Sequence, residues 1–457
     1  MDKWQWFSDA RFGLFIHWGP YAQYGRGEQV LFREHLDQRE YVLAACGWKP
    51  RFFDADEWAE AARAAGCRYA VMTTRHHDGF CMWDSRLTNY TSAAQDARRD
   101  FVAEYVNAFR RAGLRVGLYY SLADWRIPAY WEGPANDPAG WAAFQRYVHG
   151  QVRELLTCYG KIDVIWFDGA WPHSALDWKS PELVQMIREL QPDILINNRL
   201  GLLPAEGPAN LAHADGGMGV GESLQLGDFG TPEHHITADA NRIWESCQVM
   251  NWRLWGFTEG ERWRPADLLL DMLVEAASKG GNLLLNVGPD AEGRFPLQAL
   301  ERLSAIGHWM EWHGEAIYGS EAGEVSEFVT YGRQTRKGNN LYLVIRFWSG
   351  HPTIRLAGLA TRVQRVVLLT TGAELPFKQN PNELVIAGLP KESPTQLFPV
   401  IRLECVDRPM PADWAADRLW TGDPRRMTPW ASLLHGSASR PVEGSASRPV
   451  EGSAFDV

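Results

Sequence analysis

Six short apolar runs, separated by stretches with helical patterning, constrain the fold of this chain more than any other feature of its sequence. Each run is rich in branched aliphatic and aromatic residues and ends in polar or turn-forming residues. This pattern is typical of strands that are buried on both faces of a parallel sheet. The runs lie at 11–19, 67–78, 115–125, 162–171, 194–199 and 281–289.

Helices are predicted between these runs. One is predicted over 55–65, where Asp54 stands at the N-cap, and another over 100–112, with Asp100 at its start. A third is predicted to begin at Ser180 and Pro181, with serine as the N-cap and proline as the first helical residue. Because strands alternate with helices, we expect an α/β fold with a parallel sheet, either open or closed.

Polar side chains at the ends of the predicted strands favour a closed barrel. A (β/α)8 barrel keeps its site at the C-terminal ends of its strands, whereas an open doubly wound sheet usually carries a glycine-rich phosphate loop. The glycine-rich stretch 216–221 follows no predicted strand, so we interpret it as a flexible loop. The polar strand ends are His17, His76, His77, Tyr119 to Asp124, Asp168 and Arg199.

Three segments are predicted along the chain. A (β/α)8-type barrel is predicted over 1–318, ending with a helix at 295–314. Alternating apolar and polar residues then predict a small antiparallel β-sandwich over 319–408. Residues 409–457 contain "GSASRPVE" twice and few large apolar side chains, so this tail is predicted to be largely disordered.

Composition excludes several classes of partner. With 46 Lys and Arg against 56 Asp and Glu, the net charge of -10 argues against binding to nucleic acid or to an anionic membrane. The six cysteines show no metal-binding or disulfide spacing, so free thiols are expected. Neither a secretory signal nor a membrane span is recognisable, which predicts a soluble, cytoplasmic protein. The sequence is also compatible with a homo-oligomer.

Tryptophan is abundant, with 22 in 457 residues. Indole rings stack on the C–H faces of sugars, and their N–H groups reach hydroxyls, so a carbohydrate site would explain the number. A large aromatic core would explain it equally well, and composition does not decide between the two.

Asp168 is the strongest candidate for chemistry, because a carboxylate at the end of the apolar run "IDVIWFD" is poorly solvated and must be paired or hydrogen-bonded. Paired acid–base catalysis needs a second carboxylate. The loop-like stretch 201–240 offers five, and spacing does not choose among Glu206, Asp215, Glu222, Asp228 and Glu233. The adjacent histidines 76 and 77 favour hydrogen bonding to a polar ligand over metal binding, since neighbouring strand residues point to opposite faces.

Several motifs together resemble glycoside hydrolase family 29, the retaining α-L-fucosidases. The resemblance covers about residues 1–320 in order and predicts the barrel, the following sandwich and the activity. The motifs are "RFGLFIHWG", "AVMTTRHHDGFCMWDS", "GLYYSLADW", "IDVIWFDGAWP", "GDFGTPE", "WESCQVMN" and "KGGNLLLNVGPDAEG".

The resemblance also assigns roles to individual residues. Asp168 matches the catalytic nucleophile and Glu233 the general acid/base, with Asp228 and Glu245 as alternates for the second role. The residues that match substrate-binding positions are His17, Glu28, His76, His77, Tyr119, Arg199 and Trp255. No metal or other cofactor is implied.

Retention requires Asp168 to stay ionised and Glu233 to hold a proton. We expect histidine and Arg199 donors to lower the pKa of Asp168, and apolar walls together with the neighbouring negative charge to raise that of Glu233. The predicted function is exo-acting hydrolysis of terminal α-L-fucosyl residues from a fucosylated oligosaccharide or glycoconjugate. The alternatives are the same mechanism on an α-L-galactoside and a non-catalytic fucose-binding protein. Gln29 departs from the family, which often has Trp there, so the pocket wall is expected to differ.

Overall fold

The computed structural model describes residues 3–412, except 205–222, 224, 240, 241, 324, 326–330 and 382. The predicted glycine-rich loop 216–221 and most of the predicted tail, 413–457, lie outside the described residues. Three candidate carboxylates, Glu206, Asp215 and Glu222, also lie outside them.

Seven parallel strands form the first sheet, in the order β5-β4-β3-β2-β1-β7-β6. Every residue of β1 and β2 is buried, as expected where helices cover one face of the sheet and packed side chains cover the other. The strands are β1 (Phe12–Ile16), β2 (Tyr69–Arg75), β3 (Arg115–Ser121), β4 (Val164–Asp168), β5 (Leu195–Ile196), β6 (Glu245–Val249) and β7 (Asn282–Val287).

The gap between β5 and β6 is bridged by Phe229 and Gly230. Phe229 forms a parallel bridge with Asn197, directly after β5, and Gly230 forms one with Trp244, directly before β6. The backbone N–H of Glu245 donates to the Gly230 carbonyl at 3.0 Å. This short segment fills the eighth position of the ring, so the predicted (β/α)8-type barrel is confirmed.

Helices follow most of the strands, largely where the sequence predicts them. Within the described part of the chain, no helix combines the length and apolarity needed to cross a membrane. The helices are α1 (Gln5–Ala10), α2 (Val30–Arg33), α3 (Gln38–Cys46), α4 (Ala55–Ala64), α5 (Phe101–Arg111), α6 (Pro128–Asn136), α7 (Pro138–Cys158), α8 (Ser180–Leu190), α9 (Ala266–Ser278) and α10 (Leu297–His313), with short 3-10 turns at Pro20–Tyr24 and Gly314–Ala316.

Two of three predicted helix caps are found. Asp54 accepts hydrogen bonds from the backbone N–H groups at the start of α4, and Asp100 does the same for α5. The predicted cap at Ser180 is wrong. Ser180 is already the first residue of α8, and its hydroxyl donates to the Leu200 carbonyl at 2.6 Å, so it is not available for capping.

A β-sandwich follows the barrel. Its two antiparallel sheets share one apolar core, which includes Leu343, Ile354, Leu384 and Leu403. The six-stranded sheet contains β8 (Glu321–Ala322), β9 (Gly332–Lys337), β10 (Asn340–Ile345), β12 (Val363–Leu368), β13 (Ala373–Glu374) and β16 (Val400–Cys405). The three-stranded sheet contains β11 (Thr353–Ala357), β14 (Phe377–Gln379) and β15 (Glu383–Ala387).

Aromatic packing accounts for part of the tryptophan content. The Trp18 ring stacks on Phe53 at 4.9 Å and meets Trp48 and Trp58 edge-on, deep in the barrel core. None of the six cysteines, all of which lie in the described part of the chain, forms a disulfide.

Candidate active site

A cavity of about 510 Å³ opens at the C-terminal ends of the barrel strands. Its walls bring together every residue that the sequence placed in the site, although these residues span more than half of the chain. They are His17, Glu28, His76, His77, Tyr119, Asp168, Arg199, Glu233 and Trp255.

Asp168 is the last residue of β4, and its side chain is 20% exposed. The Tyr119 hydroxyl donates to its Oδ2 at 2.9 Å, and His77 Nε2 lies 3.7 Å from the same oxygen. Arg199 Nη1 lies 3.5 Å from Oδ1. Burial raises the pKa of Asp168, but Arg199, His77 and the Tyr119 hydroxyl together outweigh burial and bring the pKa below its ordinary value. The carboxylate is therefore ionised near neutral pH.

Glu233 follows the segment that closes the barrel and forms a bridge with Cys247 of β6. Arg199 Nη1 donates to Glu233 Oε2 at 2.7 Å, and His234 Nε2 lies 3.5 Å from Oε1. A guanidinium and an imidazole therefore lie against the Glu233 carboxylate, in a cavity that also has apolar side chains such as Leu254 and Trp255. The sequence led us to expect apolar walls but not this pairing, which arises because the chain after β5 turns Arg199 towards this loop.

Arg199 lies between the two carboxylates. Since its Nη1 is 3.5 Å from an Asp168 oxygen and 2.7 Å from a Glu233 oxygen, those two oxygens are at most about 6 Å apart. Retaining glycosidases separate their two carboxyl groups by about 5–5.5 Å. The guanidinium is held by hydrogen bonds of 2.9 Å to the hydroxyl and the carbonyl of Thr231 and by the Trp166 ring, 4.8 Å away.

Three histidines line the same cavity, and burial lowers the pKa of each. The pKa falls to about 3 for His17, whose Nδ1 lies 2.7 Å from the Asn286 amide oxygen. It falls to about 4 for His77, whose Nδ1 lies 2.7 Å from the Ser121 hydroxyl. His76 Nδ1 is buried and has no hydrogen-bond partner among the described residues. Neutral imidazoles of this kind can both donate to and accept from the hydroxyls of a neutral ligand.

Glu28 holds the loop that carries Trp255 into the cavity wall. Its Oε2 accepts backbone hydrogen bonds from Trp255 at 3.0 Å and Gly256 at 2.9 Å. Burial raises the pKa of Glu28. The Trp255 ring lies 5.9 Å from Phe15 and 5.1 Å from His17, so the loop that Glu28 holds places an apolar face beside the polar groups.

The two alternates for the acid/base lie away from the cavity. Asp228 is ion-paired with Arg188 and accepts the backbone N–H of Ile196 at 2.9 Å. Glu245 is fully buried at the start of β6, where Tyr69 and Trp166 donate to its oxygens at 2.5 and 2.8 Å. Among the described carboxylates that the sequence analysis considered for this role, Glu233 alone lines the cavity.

Ten further residues line the cavity, and of these only Gln29 was placed in the pocket wall from the sequence. Trp166 and Trp171 flank Asp168 in the chain, and Phe15 precedes His17 by two positions, so the two-residue period of a strand could have indicated Trp166 and Phe15. The loop residues carry no comparable signal. The ten are Phe15, Gln29, Arg33, Trp166, Trp171, His234, Trp252, Arg253, Leu254 and Arg264. Tryptophan thus serves the cavity as well as the core.

No group of three or more His, Cys, Asp or Glu side chains is arranged to hold a metal ion in the part of the chain that the structure describes. The cavity instead combines one ionised carboxylate, a second carboxylate across a shared guanidinium, neutral imidazoles and aromatic faces. This combination suits acid–base and nucleophilic chemistry on a neutral, polyhydroxylated substrate with apolar faces.

Comparisons with known proteins agree with this chemistry. The α-L-fucosidase family profile matches residues 2–315. The tissue α-L-fucosidase of Bos taurus is 29% identical over 419 residues, which cover 86% of each protein.

Solved structures give the same result. The α-L-fucosidase isoenzyme 1 of Paenibacillus thiaminolyticus has 39% identity and a TM-score of 0.79, covering 89% of this chain and 99% of that one. A family 29 α-L-fucosidase of Bacteroides thetaiotaomicron, trapped as a covalent intermediate with 2-fluoro-fucosyl fluoride, has 28% identity and a TM-score of 0.78, covering 89% of this chain and 96% of that one. The profile match, which spans most of the barrel and the whole cavity, shows that the chain belongs to the α-L-fucosidases of glycoside hydrolase family 29.

Proposed function

We propose that this protein is an exo-acting α-L-fucosidase that hydrolyses terminal α-L-fucosyl residues with retention of configuration. Asp168 is the nucleophile and Glu233 the general acid/base. The observation that carries this proposal is the single guanidinium of Arg199 between the two carboxylates, which brings one oxygen of Asp168 within about 6 Å of one oxygen of Glu233, close to the separation that retention uses.

In the first step, an Asp168 oxygen attacks the anomeric carbon and forms a glycosyl ester, while the bond to the leaving oxygen breaks. Glu233 supplies the proton to that oxygen. The lowered pKa of Asp168 keeps the nucleophile ionised. Glu233 must carry a proton at this stage, so we propose that Arg199 turns from Glu233 towards Asp168 when the sugar enters, since its Nη1 lies within 3.5 Å of oxygens on both.

In the second step, Glu233 accepts a proton from a water molecule, which attacks the anomeric carbon and releases Asp168 as a carboxylate. Esterification removes the negative charge of Asp168, so Arg199 then pairs with the newly ionised Glu233. The shared guanidinium would thus follow the negative charge from one carboxylate to the other.

The cavity walls fit a 6-deoxy sugar. His17, His76 and His77 offer donors and acceptors for hydroxyls, and His76 Nδ1 is a buried polar atom without a partner among the described residues. Trp255 and Phe15 provide an apolar contact for the methyl group. The family 29 relative that was trapped as a covalent intermediate supports a glycosyl-enzyme on this fold.

The stereochemistry of the first product tests the proposal. We expect proton NMR of a 4-nitrophenyl α-L-fucoside digest to show α-L-fucose before mutarotation, and Asp168→Ala to lose at least about 10³-fold in kcat. Azide should rescue Asp168→Ala as the β-fucosyl azide and Glu233→Ala as the α-fucosyl azide. Release of β-L-fucose by the wild-type protein, or the same azide anomer from both variants, would contradict the assignment.

A further inference from the structure

A second cavity, of about 340 Å³, lies beside the catalytic one and is open to solvent. Two of its aromatic side chains are unusually exposed for their size, Phe32 at 46% and Trp131 at 52%. Their rings are stacked, with centroids 5.9 Å apart and an angle of 12° between the planes. We call this cavity the aromatic groove; it is lined by Leu31, Phe32, His35, Leu36, Gln38, Trp125 and Trp131.

The aromatic groove is connected to the catalytic cavity through a row of rings. The His77 ring, in the catalytic cavity, packs on Trp125 at 5.0 Å, and Trp125 packs on Phe32 at 5.2 Å. Because Phe32 is in turn 5.9 Å from Trp131, the outermost ring lies within about 16 Å of His77. Helix α2 joins the two cavities as well, since Arg33 lines the catalytic one and the preceding Phe32 lines the aromatic groove.

Two backbone hydrogen bonds and one side-chain hydrogen bond fix this row in place. The backbone N–H of Trp125 donates to the His77 carbonyl at 2.9 Å, which ties the aromatic groove to the strand end that bears the catalytic histidines. The indole N–H of Trp131 donates to the Trp125 carbonyl at 2.9 Å, and the backbone N–H of Tyr130 donates to the Ile127 carbonyl at 3.0 Å. These hydrogen bonds hold Trp125 and Trp131 in place relative to His77.

The chemistry of the aromatic groove suits sugar residues. Flat aromatic faces with polar groups at their edges, here His35 and Gln38, are the surfaces on which the C–H faces of sugars stack. An exo-acting enzyme encloses only the terminal residue, so the remainder of a glycan must lie outside the catalytic cavity. The aromatic groove is concave and lined by seven residues, far fewer than the roughly 20–30 a side of a stable protein interface.

We propose that the aromatic groove is a subsite for the sugar residues to which the terminal fucose is attached, and that its exposed rings favour a fucosylated oligosaccharide over a fucoside with a small leaving group. This inference rests on the proposed fucosidase function. It assigns Phe32 and Trp131 to recognition of the leaving glycan, and neither residue touches the reacting atoms.

The test compares two kinds of substrate on the same variant. A panel of α1,2-, α1,3- and α1,6-fucosylated oligosaccharides of three or more sugars first identifies the member that the wild type hydrolyses fastest. Trp131→Ala should then lower kcat/KM for that oligosaccharide about 10-fold and change kcat/KM for 4-nitrophenyl α-L-fucoside by less than about twofold. Trp131→Phe, which keeps a ring, should recover most of the loss.

Trp312→Ala is the matched control, because Trp312 is 66% exposed on α10 and lines neither cavity. An equal loss on both substrates, or no loss on either, would overturn the subsite. A change in sedimentation of Trp131→Ala without selective loss on the oligosaccharide would assign the aromatic groove to self-association and would also overturn it. If the wild type hydrolysed no fucoside at all, the proposed function itself would fail, which is a distinguishable result.

Discussion

Glu245 is a carboxyl group inside the barrel, fully buried beneath the catalytic cavity. Burial raises its pKa to about 7, although Tyr69 and Trp166 both hydrogen-bond to it. Trp166 in turn lies under Tyr119, 5.6 Å away, and under the Arg199 guanidinium. A carboxyl group in this position can hold the floor of the site as a neutral acid without adding a second negative charge beneath Asp168.

The raised pKa of Glu245 predicts that the stability of the protein depends on pH. The unfolded glutamate ionises above its ordinary pKa of 4.5, whereas the folded one keeps its proton until about 7. The free energy of unfolding therefore falls by about 3 kcal/mol as the pH rises from 4.5 to about 7, and the folded state is favoured least at high pH. Glu245→Gln cannot ionise, so its free energy of unfolding, measured in urea at pH 4 to 8, should lack this fall. The prediction would be contradicted if the free energy of unfolding changed with pH in the same way for the wild type and for Glu245→Gln.

The candidate residues were predictable because the chemistry of a barrel lies at strand ends. His17, His77 and Asp168 each end an apolar run, so the sequence alone could place them together. The pairing of Arg199 with Glu233 could not be predicted in this way. It depends on the path of the chain after β5, for which no local pattern exists, and resemblance alone selected Glu233 among the five carboxylates of its loop.

At the scale of elements, the turn "HHDGF" after β2 explains why so many polar residues stand together. Gly79 adopts a φ of +74°, and its N–H donates to the His76 carbonyl at 3.0 Å. A Cβ at this position would collide with the buried carboxylate of Asp124, which is itself paired with Arg126. The glycine therefore lets the turn close and sets the two histidines in the cavity.

Gly79→Ala should destabilise the fold by at least about 2 kcal/mol, because it combines a strained backbone with a steric clash, and it should also lower kcat. Thermal unfolding and turnover of the aryl fucoside measure the two effects. Gly113→Ala is the matched control, since Gly113 has a φ of +78° with open space around its Cβ position. Equal losses in the two variants would mean that the contact with Asp124 contributes nothing.

Strands with a clear pattern of apolar residues could be predicted from the sequence, and the shortest strand segments could not. The runs that became β1 to β5 and β7 have enough apolar residues to show a strand pattern. The closing segment at Phe229 and Gly230 is too short to do so, and β6 entered the sequence analysis only as a motif of the family. Closure of the ring was therefore inferred from the polar strand ends rather than from eight visible strands.

At the scale of the whole molecule, the barrel and the sandwich are joined by charged and apolar contacts. Asp271 of α9 is 9% exposed and pairs with Arg333 at 3.0 Å and Arg346 at 2.7 Å, both from the sandwich. The Trp309 indole of α10 donates to the Phe398 carbonyl at 2.7 Å. The sandwich thus covers the helices on one side of the barrel, away from the catalytic cavity.

Removing the carboxylate of Asp271, which pairs with two arginines of the sandwich, should weaken the contact between the barrel and the sandwich. Asp271→Ala leaves Arg346 without this partner and Arg333 with only Glu275, and both guanidinium groups are partly exposed. We therefore expect a loss of about 2 kcal/mol in the free energy of unfolding and an unchanged KM for the aryl fucoside. Glu374→Ala, which breaks the exposed pair with Arg365, should cost less than about 1 kcal/mol. A loss for Asp271→Ala no larger than that of the control would show that the junction does not depend on these pairs.

The identity of the residue that becomes covalently attached to the sugar tests the central claim most directly. The protein would be incubated with 2-fluoro-fucosyl fluoride, digested and mapped by mass spectrometry. We predict one fucosyl label, on the peptide that contains Asp168, and none in Asp168→Ala. A label on another carboxylate, or turnover of the reagent without any label and with inversion of configuration, would contradict the account.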